Sequence, residues 1–565
     1  MATGNQFGLL RQRRFGPYFL TQFLGAFNDN VFKNALLLLL AFQSGSRFDL
    51  STDTLINLSA GLFILPFFLF SSTAGQLADK YDKARLIRLV KLAEIVIMLL
   101  AALALWQKNL PMLIALLFLM GVQSSLFGPV KYGILPQLLD DRELLGGNGL
   151  VETGTFLAIL LGTAAGGLLI GIDDIGRLLV AGVVVAIACA GYAASLGMPP
   201  APAVDPDLRI NWNPFRESWR ILGYARKKRV VFLSVVGISW FWFIGALYLA
   251  QLPNFSRQFL GGNEQVVTLL LTLFSIGVSA GSLLCERLSG RRIDIGLVPF
   301  GSIGLTLFGL DLALQPPMTV DGQLLGAVDW VSQGGAWRII ADIMLLGMFG
   351  GFYIVPLYAN VQQRSAPKHR ARVIAANNIL NALFMVLAAT LAISALAAGY
   401  SIPQLFLLVA ILNGIVAIYI YTLAPEFILR FCSWILVHLL YRIRLTGHRN
   451  IPAEGPVVLV CNHVSYVDAL VIGGCIPRPV RFVMYYKIFK IPVLSGLFRT
   501  AKAIPIAGAK EDPELLHQAF AAIDAALDRY EAGTYGICAK CGDEIEEARL
   551  DVVPETPFCA ACAKA

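Results

Sequence analysis

Twelve apolar stretches, each long enough to cross a bilayer, recur along the first 425 positions, and no other feature restricts the fold as much. A span needs about 20 apolar residues. Inside hydrocarbon a single segment must satisfy its own backbone hydrogen bonds, so each stretch is expected to be a helix. The stretches begin near Pro17, Leu55, Leu86, Pro111, Gly149, Leu178, Val230, Val267, Gly296, Ile339, Val373 and Pro403. Composition agrees. Hydrophobic residues make up 57% of the 565 and charged residues 15%, against about 25% charged in soluble domains; mean hydropathy is +0.68. The net charge of +8 does not point to nucleic acid, because the basic residues sit in short loops where membrane topology accounts for them. The first stretch, behind Arg11, Arg13 and Arg14, is too long for a cleavable leader and lacks a small-residue cleavage site, so it is expected to stay as a span.

The loops alternate in charge. Lys80, Lys83, Arg85 and Arg88 follow the second stretch, and Arg220, Arg226, Lys227, Lys228 and Arg229 the sixth. Arg287, Arg291 and Arg292 follow the eighth, and Arg364, Lys368, Arg370 and Arg372 the tenth. The intervening loops hold few basic residues. The positive-inside rule then places both termini in the cytoplasm. The longest basic connector, residues 198–229, divides the stretches six and six, as expected for two parallel repeats. Phe23-Leu24-Gly25-Ala26 and Phe243-Ile244-Gly245-Ala246 are a faint trace of that repeat.

Two segments carry more information. The loop after the second stretch reads Gly75-Gln76-Leu77-Ala78-Asp79-Lys80-Tyr81-Asp82-Lys83-Ala84-Arg85. It resembles the gating motif of the major facilitator superfamily, Gly-x-Leu-Ala-Asp-Arg/Lys-x-Gly-Arg/Lys, with Asp82 in place of the second glycine. Asp79 at a helix end can pair with basic residues or with a helix N-terminus while that side of the bundle is closed. The motif reading assigns gating to Gly75, Asp79, Lys80, Lys83 and Arg85; a plain basic loop is the lesser alternative.

The first stretch contains Asn28-Asp29-Asn30-Val31-Phe32-Lys33. Ionisable residues within a span are costly and usually face a cavity or a partner. Asp29 and Lys33 could instead form an internal i,i+4 pair. Lys131 stands at a span end and Glu152 opens the next span. Together these segments resemble the bacterial lysophospholipid transporters of the same superfamily over roughly residues 10–425. The resemblance implies a flippase that brings lysophospholipid to the cytoplasmic leaflet, with Asn28, Asn30, Asp29, Lys33, Lys131 and Glu152 as substrate-pathway residues. The residues alone imply charges suited to a zwitterionic or anionic headgroup.

Beyond Pro425, residues 426–445 are shorter than a span and end in basic residues, which suits an interfacial helix. Val457–Val460 then reads as a short buried strand that delivers Asn462-His463-Val464-Ser465-Tyr466-Val467-Asp468. A histidine with an aspartate five positions on is a general-base arrangement. The segment looks like the PlsC-type glycerophospholipid acyltransferases, which carry Asn-His-x-Ser-x-x-Asp. The resemblance implies that His463 takes the proton of a glycerol hydroxyl, which then attacks an acyl thioester of coenzyme A or acyl carrier protein. Asp468 would fix the imidazole tautomer; Asn462 and Ser465 complete the motif. Arg481, Lys487, Arg499 and Lys502 flank Ala503-Ile504-Pro505-Ile506 and are candidate phosphate contacts by charge, or solvated surface groups. The family's third block, with Pro-Glu-Gly, is missing, so the acceptor-binding half of that fold is expected to be absent.

The chain continues into Glu511-Asp512-Pro513-Glu514, an acidic cap with proline in the first turn, and an apolar stripe of Leu516, Phe520, Ile523, Leu527 and Tyr530. Cys538-x-x-Cys541 and Cys559-x-x-Cys562 follow. Four thiolates in two such pairs suit tetrahedral zinc. Gly533-Thr534-Tyr535-Gly536-Ile537-Cys538 and the residues after it resemble the DksA/TraR-type zinc finger, which implies zinc binding; the acidic coiled-coil tip by which that family acts on RNA polymerase is not visible, so neither transcription control nor a nucleic-acid partner is expected.

The resulting expectation is a mostly α-helical membrane protein of four parts. These are a six-plus-six facilitator bundle over 1–425, an interfacial helix over 426–445, a truncated α/β acyltransferase over 446–530 and a four-cysteine zinc finger over 531–565. It is placed in a bacterial inner membrane, with lysophospholipid, membrane lipids and an acyl donor as partners. Its expected activity is lysophospholipid flipping followed by reacylation. A transporter with an inert acyltransferase remnant, and a transporter with a zinc-dependent regulatory tail, are the alternatives.

Overall fold

The polar residues between the apolar runs set where each helix starts. Asp82 accepts from the Arg85 backbone N–H (2.9 Å) and Asn109 from that of Met112 (3.1 Å), each satisfying an orphan donor of the helix it opens. Asn213 does the same for Arg216 (3.0 Å) just ahead of Pro214, whose missing N–H is harmless in a first turn. At the opposite kind of boundary Gly399, at φ +87°, makes the tight reversal that separates the last two long helices.

The computed structural model describes the backbone of residues 6–43, 52–289, 297–318 and 323–423, with scattered residues between 433 and 562. The chain divides into two units, residues 1–417 and 418–565. In the first, the long helices are α1 (Gly16–Gln43), α2 (Thr52–Lys80), α3 (Lys83–Trp106), α4 (Leu110–Gly133), α6 (Asp141–Ile170) and α7 (Gly176–Leu196). They are followed by α9 (Arg229–Gln258), α10 (Glu264–Leu288), α11 (Leu297–Ala313), α13 (Ala336–Arg364), α14 (Arg370–Ala397) and α15 (Ile402–Leu423). Short helices α5 (Leu135–Leu138), α8 (Pro214–Lys227) and α12 (Ala327–Val331) lie between them. The twelve long helices match the twelve expected spans. Among the described residues, ten are long and apolar enough to cross a membrane. Of the other two, α1 carries Asn28, Asp29, Asn30, Lys33 and Asn34, and α11 has 17 described residues.

The fifth span begins at Asp141, not near Gly149. The polar stretch Asp140–Gly147 forms two helical turns of its own, because Glu143 accepts from the Asp140 backbone N–H (3.0 Å) and from Arg14 (2.6 Å). Glu152 therefore lies in mid-helix, fully buried, instead of opening a span.

Small residues let the spans approach closely, the usual basis of helix association in lipid. A methyl group at Gly162 or Gly166 of α6 would sit 2.5 Å from the Phe27 or Val31 carbonyl oxygen of α1. Around that contact, Val31, Leu36, Leu40, Met98, Met120 and Val184 form a core shared by α1, α3, α4 and α7.

In the second unit, α16 (Asp468–Cys475) precedes two short parallel strands, β1 (Val483–Tyr485) and β2 (Ile504–Ile506), paired Val483 to Ile504 and Tyr485 to Ile506. The expected strand around Val458–Val460 is not one: these residues carry no ladder bonds and Val460 is 92% exposed. An apolar run becomes a buried strand only with a neighbour to pair with, and none of the described strands lies beside it. Residues 513, 514, 517, 520, 524 and 528 are helical as expected, though Phe520 of the apolar stripe is exposed. Leu516, Ile523, Leu527 and Tyr530, like most of 426–445, fall outside the described residues.

Candidate functional site: a buried charge network and its gate

In the middle of the first six spans, α1, α3 and α4 bring a polar network together. Lys91 and Glu94, both 1% exposed, form an ion pair at 2.6 Å across one turn of α3. Glu94 also accepts from Asn28 Nδ2 (3.0 Å) and Gln123 Nε2 (3.1 Å). Four groups from three helices thus satisfy one another, which a buried charge requires. Gly25 is what admits the lysine, since a methyl there would collide with Lys91 Nζ. Ser124 Oγ donates to Asp29 Oδ2 (2.8 Å), and Gln123 neighbours it on α4.

Asp29 and Lys33 do not form a direct ion pair among the described residues. Lys33 Nζ stands 5.5 Å from the centre of the Phe63 ring, a cation–π contact to α2. Asn30 closes a local bond to the Ala26 carbonyl (2.7 Å). Toward the end of α4, Lys131 Nζ donates to Thr155 Oγ1 (2.8 Å) and Tyr132 Oη donates to Glu152 Oε1 (2.6 Å). The Tyr132 ring stacks on Tyr358 of α13 at 4.3 Å and 4°, carrying the network to the second six spans. Asn28 Oδ1, Asp29 Oδ1 and Glu152 Oε2 are buried acceptors with no hydrogen-bond partner among the described residues. Buried acceptors left this way call for a donor.

The network contains two charges that sequence reasoning missed. Lys91 and Glu94 sit within the apolar run that starts at Leu86, and the rule that singled out Asp29 applies to them equally.

The residues of the expected gating motif come together at the start of α14. Asp79, fully buried, accepts from Arg372 Nε (2.8 Å) and from the Ala371 backbone N–H (3.2 Å), so it meets both a basic residue and a helix N-terminus. Its own carbonyl accepts from the Val204 and Asp205 N–H groups (3.1 and 2.9 Å), and Arg372 also reaches Asp205 (3.1 Å). Lys80 Nζ donates to the Leu208 carbonyl (2.9 Å). Asp82, where the motif has glycine, caps α3 and accepts from the Ala201 N–H (3.0 Å), pinning the connector. Lys83 is buried and Arg85 exposed. A methyl at Gly75 would lie 2.7 Å from Ala375 Cβ and 3.0 Å from Arg372 Cα, so only glycine lets α2 and α14 meet here.

In the second unit, Asp468 opens α16 and its carboxylate accepts from the Ser465 backbone N–H (2.9 Å), so the motif's serine and aspartate are joined. Asn462 is exposed. His463, Arg499, Lys502 and Cys541 fall outside the described residues. Lys487 is already engaged: its Nζ donates to Glu511 (3.3 Å), which also accepts from Tyr485 Oη (2.9 Å). The Tyr485 hydroxyl and the Lys487 ammonium hold the Glu511 carboxyl below its usual range, and Tyr485 and Glu511 raise Lys487 above its own. Arg481 is half-buried just before β1. The sulfurs of Cys538, Cys559 and Cys562 lie within 4.8 Å of one another around Ile545. Thiolates around tetrahedral zinc, with Zn–S near 2.3 Å, stand roughly 3.8 Å apart, so this convergence fits the metal.

Comparison with known proteins accords with this geometry. The profile of the Major Facilitator Superfamily matches residues 18–389, that of Acyltransferase 442–537, and that of the Prokaryotic dksA/traR C4-type zinc finger 533–565. Lysophospholipid transporter LplT of Enterobacter sp. (strain 638) is 28% identical over 351 residues, covering 61% of this chain and 78% of that protein. The same-named protein of Serratia proteamaculans (strain 568) is 28% identical over 353 residues, with 61% and 78% covered. Among solved structures, the transporter FucP in the outward conformation superposes with a TM-score of 0.54 at 14% identity, over 72% of this chain and 97% of its own. The human organic anion transporter MFSD10 (TETRAN) gives 0.54 at 13%, over 71% and 99%. These two likenesses concern the fold alone.

Proposed function

Because the chain belongs to the Major Facilitator Superfamily, we propose that it carries lysophospholipid across a bacterial inner membrane to the cytoplasmic leaflet, where its C-terminal unit reacylates the lipid. The observation that carries the transport reading is the network between α1, α3, α4 and α6. The unpartnered oxygens of Asn28, Asp29 and Glu152 suit an ammonium or hydroxyl donor, and Lys33 and Lys131 suit a phosphate. Together these are the two ends of a lysophospholipid headgroup, and the relatives named as lysophospholipid transporters support the same substrate. Asp29→Asn and Lys33→Ala are each expected to impair lysophospholipid uptake by vesicles while leaving folded protein in the membrane. Normal uptake in both would leave the network a structural feature.

In this reading both termini and the Asp79 loop face the cytoplasm, on the basic-loop alternation. The closed Asp79–Arg372 gate then makes this the state that receives substrate from the opposite side. Labelling of a cysteine at position 83 from the periplasmic side would refute the orientation.

For acyl transfer, His463 takes the proton of the lysophospholipid's free hydroxyl, the oxygen attacks the thioester carbonyl, and the thiol leaves with a proton. Asp468, fixed at the start of α16, orients the imidazole. Asn462 and Ser465 shape the loop, and Arg481, Lys487 and Arg499 are candidate phosphate contacts by charge. Such a base contributes about a hundred- to ten-thousand-fold, whereas positioning can supply roughly 7–11 kcal/mol. With the Pro-Glu-Gly block missing, the larger contribution is lost and turnover is expected to be weak. His463→Ala should abolish what remains. The missing block equally favours a second reading, a transporter with an inactive remnant. Acyl transfer at the rate of a complete PlsC-type enzyme would exclude it. Cys538, Cys541, Cys559 and Cys562 hold one zinc, which supplies the fold of a tail too small for a core of its own.

A further inference from the structure

Helix α8, in the connector between the two sets of spans, has three distinct faces. Glu217, Ile221 and Ala225 recur every fourth residue and are buried. Ile221 packs on Ala375, Ala376 and Ile379 of α14, with Phe68 of α2 alongside, and Tyr224 stacks on His369 at 4.4 Å and 8°. Phe68 is roughly three turns from the end of α2, and Ile379 two to three turns from the start of α14. The helix therefore lies against the sides of these spans and does not sit on their ends. With 29 residues, α2 is about 43 Å long, against roughly 30 Å of hydrocarbon. Contacts that far back from its end reach the boundary of the bilayer.

The face turned away from the bundle is aromatic. Phe215 and Trp219 are one turn apart, Trp212 precedes them, and the three are 77, 72 and 70% exposed. Arg226 lies over the Trp219 ring at 5.8 Å. The third face is basic: Arg216, Arg220 and Lys227 follow one another at helical spacing, and Lys228 and Arg229 continue the charge. The single acidic residue of the helix, Glu217, is buried and paired with Arg220 (2.9 Å), so no exposed carboxylate offsets the basic stripe. Three large exposed aromatic rings beside a basic stripe are the mark of an interfacial helix, and an anionic leaflet is the surface its charge complements.

We propose that α8 is a lipid-surface anchor. Trp212, Phe215 and Trp219 insert among the glycerol groups and upper acyl carbons of the leaflet next to the α2–α14 seam, and Arg216, Lys227, Lys228 and Arg229 recruit anionic phospholipid headgroups to it. The test is tryptophan quenching in the full chain, reconstituted in phosphatidylcholine bilayers with a minor fraction of phosphatidylglycerol. The emission lost in Trp212→Phe/Trp219→Phe isolates the two reporters. It is expected to be quenched by lipid brominated high on the acyl chain and to resist aqueous iodide. Brominated phosphatidylglycerol should quench more than brominated phosphatidylcholine at equal mole fraction. Arg216→Gln/Lys227→Gln/Lys228→Gln should remove that preference, by up to roughly fivefold per charge. Quenching by iodide and not by brominated lipid would overturn the anchor. Shielding from both would overturn it in favour of a protein surface. Equal quenching by the two lipids would overturn the headgroup preference. If the double variant fails to fold, Phe215→Trp adds a third reporter on the same face and must gain lipid-quenched emission.

Discussion

The two sets of six spans share a helix plan but bury different chemistry. In the first, charges lie in mid-bundle: Lys91 with Glu94, and Glu152 with Tyr132. In the second, among the described residues, the mid-helix bonds that stand out run between neutral groups. Trp240 Nε1 donates to Asn413 Oδ1 (2.9 Å), Ser239 to Asn381 (2.8 Å), and Asn360 to Ser234 (2.8 Å). Its buried charges, Glu286, Asp342 and Arg372, stand near helix ends. The glycines of the faint repeat show the same divergence. Gly25 leaves room for Lys91, while Gly245 has open space where a side chain would go. A repeat can therefore keep its helix plan while one copy specialises in charge and the other in shape and amide bonding.

The sharpest way to break this contrast is to remove one charge from the first set. Glu94→Gln leaves Lys91 buried without its counter-ion, and loss of one partner of such a pair costs about 3–5 kcal/mol. The variant should melt at markedly lower temperature and transport nothing. Lys91→Met/Glu94→Gln should recover much of the stability without recovering uptake, which separates folding from function. Unchanged uptake in that double variant would mean that the pair is scaffolding.

Asp79→Asn should rank next. Hydrogen bonds to charged groups contribute about 1.5–3 kcal/mol each. Weakening the bond to Arg372 should favour opening on that side, read by mass spectrometry as faster amide hydrogen exchange in the first turns of α14. In the second set, Asn413→Ala leaves the Trp240 indole N–H without its acceptor and removes the donor to the Ser302 carbonyl and Thr306 Oγ1, which should cost about 1–3 kcal/mol, with uptake close to that of the parent. Loss of uptake there as complete as for Glu94→Gln would abolish the distinction between the two sets. Cys559→Ser gives the smallest effect on transport. Elemental analysis should find its zinc lost while uptake persists.

Most of the helix plan was legible because a span announces itself by length and composition. The twelve starts expected from apolar runs coincide with the twelve long helices, except where Asp140–Gly147 extends the fifth by a polar segment that hydropathy cannot see. Asp29 was legible as a charge in the wrong medium, and Asp79 as part of a motif. Lys91 and Glu94 were equally legible in principle, since they too are charges inside an apolar run. The partners of Asp79 were beyond reach: Arg372 is 293 residues away, and only the fold brings it there. Val458–Val460 of the expected strand do not form one for a related reason, since a strand depends on a neighbour that the local sequence does not contain.

The way Asp79 is held has a kinetic consequence. One residue accepts four hydrogen bonds, from Ala371 and Arg372 on α14 and from Val204 and Asp205 in the connector. These cannot be surrendered gradually, because moving α14 away strains the carboxylate bonds together while the connector still grips the carbonyl. In the gating reading, opening is then an infrequent all-or-none event, of the kind that falls in the microsecond-to-millisecond range or slower. In that reading the hub is a clutch: the bonds at Asp79 set how often the bundle disengages.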